Sequence, residues 1–579
     1  MGNDTTRPFT GRLKIDARLL LASVGWLPVV LVAGLVVVVV WLSFQVITPG
    51  QSANFGWRAY RELYGDPFVY QTLLNTGWFA LLSVAVALFF GVVAAWLVER
   101  TDLPYKNVLF TLMTTGVLVQ GFITAMGWVF LLHPRIGLMN KAIASIHGME
   151  WATVDIATPM GMGVIQGLAL APLAFMMVAA TFRSLDPALE EAAAVHGMGL
   201  ISTLLRVTLP LAFPGILAAG IYISTIGIAA FDVPAIIGLP NRVFMFSTFL
   251  YFRVQPEFGA PRYDLAGAFS TLMIFLSLLL SWLYIQVVRY SHRYAVVTGR
   301  AYQPKPVELG RTAWLAWVFL GFYLLLGQIL PTLVLLWNSL LPYFQPISWS
   351  SLDIISFSNY HNLPWSHLLE SARNTGILMV SVASLTLAFS VAISWTVTRS
   401  DLAGRFVLDA GAFLPHAIPH VILAVGANYV ALFLVGKALP IYGTIYILLA
   451  LYVLAWMSFG TRVLNSAILQ VHKELEEVGK VSGIPLLTCL RKILVPLIAP
   501  AMVNAWLWMA LLSYRELTMA SLLVTPHNLT FPVFIWSLWM EGSITRAAAA
   551  SVLGLACMIP LVALYWVFGR RASGSDTAI

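Results

Sequence analysis

LEEAAAVHGMGLISTLLRVTLP, residues 189–210, interrupts a chain that is otherwise strongly apolar. A charged, alanine-rich start gives way to a glycine and then to an apolar run closed by Leu209-Pro210. LEEVGKVSGIPLLTCLRKILVP, residues 475–496, repeats the design at the same length. Ahead of the first copy, Asp186-Pro187 is a helix-start signal, because Asp can cap free N–H groups and Pro suits the first turn. Glu190 and Glu191 sit near the partially positive helix N-terminus, where anions are favoured. Ala192, Ala193 and Ala194 are strong helix formers of minimal bulk, and Gly197 can end the helix by adopting a positive φ. The expected product is a short helix lying flat, whose small residues let another surface approach closely. Glu476, Glu477, Gly479 and Gly483 keep the charges, the small size and the break in the second copy.

What surrounds the two copies is lipid-soluble sequence. Hydrophobic residues make up 59% of the 579 and charged residues 10%, against about 45–50% and about 25% in soluble domains. Mean hydropathy is +0.85. The formal net charge of +8 does not point to nucleic acid, because Lys and Arg gather at the ends of apolar runs, as they do in cytoplasmic loops of membrane proteins. Cys489 and Cys557 are too few for a disulfide framework. Arg7, Arg12, Lys14 and Arg18 precede an apolar run, Leu19 to Ile47, that exceeds a signal-peptide core and lacks a clear cleavage site. It reads as a first spanning helix behind a cytoplasmic tail, residues 1–18.

Each crossing needs about 20 apolar residues. Candidate spans fall at 19–47, 72–98, 107–132, 159–181, 204–232 and 265–288, then at 313–340, 374–398, 408–435, 440–464, 493–525 and 546–569. The fifth and eleventh contain Pro and Gly and are expected to be broken. Glu191 and Glu477, Gly197 and Gly483, and Pro210 and Pro496 share one offset of 286 residues. Asn75-Thr76 and Asn374-Thr375 open the second and eighth spans alike. The fold expected is an all-α polytopic membrane protein of about 12 transmembrane helices in two six-helix repeats, residues 19–300 (core 70–290) and 301–579 (core 370–570). An even number of spans per repeat makes the repeats parallel, about an axis along the membrane normal. With the N-terminus inside, about two-thirds of the 33 Lys and Arg fall on the cytoplasmic side, as the positive-inside rule requires. The connector's Arg289, Arg293, Arg300, Lys305 and Arg311 belong to that set, and both glutamate-bearing loops then face the cytoplasm.

The pattern Glu191-Ala192-Ala193, Gly197, Val207, Leu209-Pro210 resembles the EAA loop of ABC-importer permeases. The second copy departs from it: Val478 and Gly479 replace the alanines, and Val495 replaces the leucine before Pro496. The resemblance covers both halves. It implies the type I importer fold and two coupling helices that seat in clefts of two ABC ATPase subunits, expected as a homodimer. It also implies a periplasmic or lipid-anchored substrate-binding protein as partner and residence in a bacterial inner membrane. Residues Glu190, Glu191, Ala192, Ala193, Gly197, Glu476, Glu477, Gly479 and Gly483 are then the ATPase-coupling set. The fused two-permease layout, with Phe231-Asp232-Val233-Pro234, Gly238-Leu239-Pro240 and Arg515-Glu516-Leu517, is similar to ferric-iron permeases and to their relatives for thiamine, polyamines and aminophosphonates.

The chain contains no G-x-x-x-x-G-K-[ST] phosphate loop, so ATP and Mg are expected on partner subunits. No catalytic residue, no cofactor of the chain itself and no nucleic-acid partner are expected. Asp232, Arg515 and Glu516 end the fifth and eleventh spans. Charge at membrane depth is costly and usually faces a bundle interior or a water-filled path; the alternative is the outer headgroup level. His416 and His420, four apart, point to one side of a helix. That is a metal-ligand spacing, but Pro415 and Pro419 favour a kink and no third ligand follows, so no metal site is assigned. Trp26, Trp57, Trp128 and Tyr343 read as interfacial anchors. The rival reading is an ion-gradient-driven secondary transporter with two parallel six-helix halves, for which few acidic residues fall inside the spans.

Overall fold

The structure, a computed structural model, describes residues 17–46, 54–117, 119–135, 137–146, 152–186, 188–291, 307–345 and 349–572. Most of the expected cytoplasmic tail, Pro187, and Arg293, Arg300 and Lys305 of the connector lie outside the described residues.

The first half runs α1 (Ala17–Leu42), a small antiparallel ribbon of β1 (Gln45–Val46) and β2 (Asn54–Phe55), α2 (Arg58–Gly65), α3 (Pro67–Arg100), α4 (Lys106–Gly116), α5 (Gly121–Leu132) and α6 (Leu138–Ala144). It continues through α7 (Pro159–Ser184), α8 (Ala188–Val195), α9 (Leu200–Thr203), α10 (Leu209–Ala229), α11 (Phe246–Val254) and α12 (Tyr263–Ser291). The second half begins with α13 (Ala313–Leu324), α14 (Leu330–Ser339), α15 (Trp349–Leu352), α16 (Ser358–His361), α17 (Trp365–Arg399), α18 (Arg405–Ala417) and α19 (His420–Tyr429). It closes with α20 (Ile445–Gln470), α21 (Glu474–Val481), α22 (Leu486–Cys489), α23 (Val495–Tyr514), α24 (Thr518–Leu523), α25 (Phe531–Met540) and α26 (Ile544–Ala572).

In hydrocarbon no water satisfies a backbone N–H or C=O, so a helix, which bonds its own backbone, is the local solution. Start signals are written at the ends: Asp66 accepts from the Phe68 N–H at 2.9 Å ahead of Pro67, and Thr158 accepts from the Gly161 N–H at 3.0 Å ahead of Pro159. Among the described residues nine helices are long and apolar enough to cross a membrane, and two bent pairs raise that to 11. The protein is an all-α, multi-pass membrane protein, compatible with the 12 spans expected. Helices cohere in lipid by close packing of small residues. A Cβ on Gly91 of α3 would lie 2.5 Å from the Ala174 Cβ of α7, and one on Gly167 of α7 would lie 2.6 Å from the Val86 Cβ of α3. The two backbones therefore touch along their length.

The two halves carry the same bonds at equivalent places. Asn75 Nδ2 donates to the Phe244 carbonyl, and Asn374 Nδ2 to that of Leu529. Thr76 Oγ1 accepts from the Phe246 N–H at 2.9 Å, and Thr375 Oγ1 from the Phe531 N–H at 2.8 Å. The Tyr60 hydroxyl bonds Ser43 Oγ, and the Tyr360 hydroxyl bonds Ser339 Oγ. The halves also exchange their first helices. Phe319 of α13 stacks on Phe90 of α3 at 5.5 Å, and the Tyr323 hydroxyl donates to the Leu168 carbonyl of α7. Reciprocally, Val29 of α1 shares a buried cluster with Ile393 of α17, Leu408 and Ala412 of α18 and Met457 of α20.

Sidedness follows from the chain itself. The Val307 N–H donates to the Arg100 carbonyl and the Asp102 N–H to the Val307 carbonyl, so the segment entering α13 lies at the C-terminal end of α3. One crossing by residues 310–339 and a return by α17 bring Arg399 back to that side. Arg100 contacts α8 and Arg399 contacts α21, so α8 and α21 share one face of the membrane.

Three expectations are corrected. The third and ninth spans are not straight: α4 meets α5 at 94° and α18 meets α19 at 99°. Pro419, the N-cap of α19, forces Ile418 out of the helical region (φ −108°, ψ 128°). Gln120, the N-cap of α5, is extended (φ −72°, ψ 130°). The fifth and eleventh spans, expected to break, instead pass through five-residue π-turns, Leu204–Thr208 and Leu490–Leu494, into α10 and α23. Pro210 and Pro496 lack the N–H that would bond four residues back, and the helix widens by one residue to compensate. Trp128, expected at an interface, is 5% exposed, because α5 is buried on all sides.

Candidate functional site

Two places collect the residues singled out by the sequence: the surface helices α8 and α21, and the knees where α4 meets α5 and α18 meets α19. At α8, Asp186 Oδ1 accepts from the Ala188 N–H at 2.9 Å. The helix ends where Gly197 takes φ +75° and the Met198 N–H reaches back to the Ala193 carbonyl at 3.0 Å. Gly483 takes φ +74°, and the Ile484 N–H reaches the Gly479 carbonyl at 3.0 Å. Both are the left-handed glycine termination that recovers an orphan carbonyl.

Residues three apart share a helix face, and this sorts the motif. Glu190 and Ala193 in α8, like Glu476 and Gly479 in α21, turn toward the membrane body. A Cβ on Gly479 would lie 3.1 Å from Cys489 Sγ, so only a minimal residue lets α21 lie against α22. Ala192 and Glu477 are exposed, Glu191 is half-buried, and Val195 and Val481 stand out at 85% and 90% exposure. Exposed apolar groups repeated at one place on two related helices are the mark of an interaction surface.

The inward glutamates meet arginines that the sequence reading missed. Arg100, the last residue of α3, places Nη1 3.7 Å from Glu190 Oε2 and donates from Nη2 to the Leu185 carbonyl at 2.9 Å. Arg399, the last residue of α17, places Nε 3.1 Å from Glu476 Oε1 and donates from Nη2 to the Ile468 carbonyl at 2.8 Å and to that of Val471. Both arginine side chains are below 10% exposure. The signal lies in the sequence: Asn75 to Asn374, at the openings of the two spans, and Arg100 to Arg399, at their ends, share one offset of 299 residues.

At the first knee, Asp232 follows α10, and its Oδ2 would sit 3.0 Å from a Cβ on Gly121, the first residue of α5. A carboxylate is stabilised at such a helix start. Arg515, which caps α23, donates from Nη1 to the Val117 carbonyl across the two halves. At the second knee, Glu516 Oε2 lies 3.8 Å from His420 Nδ1, the first residue of α19, while Glu516 Oε1 accepts from the Met519 N–H at 3.0 Å. His416 stacks on Tyr222 of the other half with ring centroids 4.7 Å apart. The histidines stand on either side of the Pro419 break, not on one helix face. Among the described residues, no three His, Cys, Asp or Glu side chains gather as metal ligands.

These features define a class: the chain resembles the membrane permeases of binding-protein-dependent ABC importers. Residues 384–574 match the family model for the binding-protein-dependent transport system inner membrane component. More particularly, it is 22% identical over 528 residues to the ferric transport system permease protein FbpB of Actinobacillus pleuropneumoniae, covering 88% of this chain and 72% of that protein. It is 22% identical to the Fe(3+)-transport system permease protein FbpB 2 of Haemophilus influenzae, covering 86% of this chain and 92% of that one. A solved bacterial ABC transporter involved in importing the acidic polysaccharide alginate aligns over 45% of this chain and 88% of its own, at 21% identity and a TM-score of 0.34.

Proposed function

We propose that this chain carries both permease halves of an ABC importer. The face bearing α8 and α21 is cytoplasmic, and each helix seats in one of two ATPase subunits that bind ATP and Mg. A substrate-binding protein delivers cargo on the opposite face. The reading is carried by one observation: two equivalent surface helices, each with an inward glutamate, an outward valine and a left-handed glycine stop, stand on the same side of the membrane. A symmetric pair of docking points fits a symmetric partner.

The cargo proposed is ferric iron, supported by the likeness to two ferric transport system permease proteins along most of the chain. Between the halves, the knees with Asp232, Arg515, Glu516, His416 and His420 form the gate on the path. Charge within the membrane usually faces a bundle interior or a water-filled path, which supports this reading. ATP binding draws the ATPase subunits together and carries α8 and α21 with them. The halves rock about the knees, and hydrolysis resets them. Coupling requires that cargo and nucleotide bias the same two-state body.

Reconstitution of the chain in proteoliposomes with its genomically neighbouring ATPase and binding protein tests this. ATP-dependent uptake of ferric iron is the expected result. Uptake driven by a proton or sodium gradient and indifferent to ATP overturns the importer reading. ATP-dependent uptake of thiamine, a polyamine or an aminophosphonate, but not of iron, overturns the cargo alone.

A further inference from the structure

Arg100 and Arg399 do more than neutralise a buried acid. Each closes the end of its own helix, α3 or α17, onto two other elements at once. One is the carbonyl end of the span that leads into the surface helix, at Leu185 beyond α7 or at Ile468 and Val471 at the end of α20. The other is the inward glutamate of the surface helix, Glu190 or Glu476. Helix C-termini expose unpaired carbonyls and partial negative charge, which a guanidinium answers with several donors in a fixed plane. The surface helices are joined by the chain only to spans four and five of their halves. Through the arginine each also grips span two.

The grips differ between the halves. Glu190 Oε1 accepts from the Thr208 hydroxyl at 2.6 Å, on the π-turn that leads into α10, the helix that ends at Ala229 just before Asp232. Glu476 Oε2 accepts from the Trp395 indole at 3.1 Å, on α17 itself. In half one the glutamate links span two to span five. In half two it doubles the link to span two, and the residue equivalent to Thr208 is Leu494, which offers no hydroxyl.

We propose that Arg100–Glu190 and Arg399–Glu476 are positioning struts that turn displacement of the surface helices into movement of the spans, and that they are unequal, with the first strut alone driving the gate-bearing fifth span through Thr208. This rests on the importer reading above. Neither arginine touches cargo or nucleotide; each acts through the glutamate and the helix end that it holds.

The test measures cargo moved per ATP hydrolysed in proteoliposomes holding the full complex of permease, ATPase subunits and binding protein. Arg100→Gln and Arg399→Gln are expected to assemble with the ATPase and hydrolyse ATP while the transport-to-hydrolysis ratio falls about tenfold. Arg100→Lys, which keeps the charge but not the fork, is expected to restore only part of it. The exchange Arg100→Glu with Glu190→Arg covers the case in which a single variant fails to insert, because it keeps a pair in place; partial recovery of the ratio is expected. Thr208→Val is expected to lower the ratio about threefold, and Trp395→Phe to leave it within twofold of wild type. Unchanged ratios in the arginine variants, or no recovery in an exchange variant that inserts and assembles, overturn the struts. Equal effects of Thr208→Val and Trp395→Phe overturn their inequality. Wild-type chain that binds no ATPase defeats the importer reading itself, a separate outcome.

Discussion

At the scale of residues, a few side chains do what lipid cannot: they satisfy polar backbone at the ends of helices. Thr76 and Thr375 are the clearest case. Each is buried, and each accepts the N–H of the first residue of α11 or α25. Valine has the same shape and no acceptor, so Thr76→Val leaves the Phe246 N–H stranded. A buried unpaired donor costs about 1–3 kcal/mol, and a lowered midpoint of thermal unfolding in detergent is expected for Thr76→Val and Thr375→Val alike. An unchanged midpoint in both would mean that water reaches these sites. The Asn-Thr pair was visible in the sequence as a repeated dipeptide. Its purpose was not, because the partners lie on segments about 170 and about 155 residues away and no local rule connects them.

At the scale of elements, the surface helices were legible in both directions. Glutamates at the start, small residues within and glycine at the end are local signals, and the backbone follows them at Gly197 and Gly483. Proline fixes φ near −65°, whereas Gly197 stands at +75°. Gly197→Pro is therefore expected to unravel the end of α8 and to reduce recovery of the ATPase on the purified permease at least tenfold, with membrane insertion intact. The co-purified ratio of the two proteins measures it, and Glu191→Lys is expected to act in the same direction by putting a cation at a helix start. Helix interruptions were less legible. Proline in the fifth and eleventh spans looked like a break, yet a π-turn absorbs the missing N–H at Pro210 and Pro496. The sharp bends fall in the third and ninth spans, one of them at Gln120-Gly121 with no proline at all. There the bend is supported by what meets it, the carboxylate of Asp232 at the start of α5.

For the whole molecule, the exchange of first helices and the shared face of α8 and α21 are the governing facts. If two crossings separate Val307 from Arg399, cysteines placed at Val195 and at Val481 must react with a membrane-impermeant maleimide from the same side. In right-side-out and inverted vesicles both are expected to label in one preparation and to be protected in the other. Labelling of the two from opposite sides would dismantle the topology and every reading built on it. Apolar runs and basic flanks reveal how many times a chain can cross, since lipid demands them locally. Which helix lies on which half is different, because Phe319 against Phe90 and Val29 against Ile393 are choices among equally greasy neighbours.

The sequence by itself determined that this protein lives in lipid as helices, that its two halves carry one design, and where its surface helices start and stop. Each of these follows from hydrophobic length, spacing or backbone conformation within a few residues of where it is read. Only the tertiary structure decided that Arg100 and Arg399 hold Glu190 and Glu476, that the knees bring Asp232, Arg515, Glu516 and the two histidines toward the boundary between the halves, and that each half borrows the other's first helix. A buried charge must find its partner wherever the packed helices place one, and that position exists only once the helices have packed.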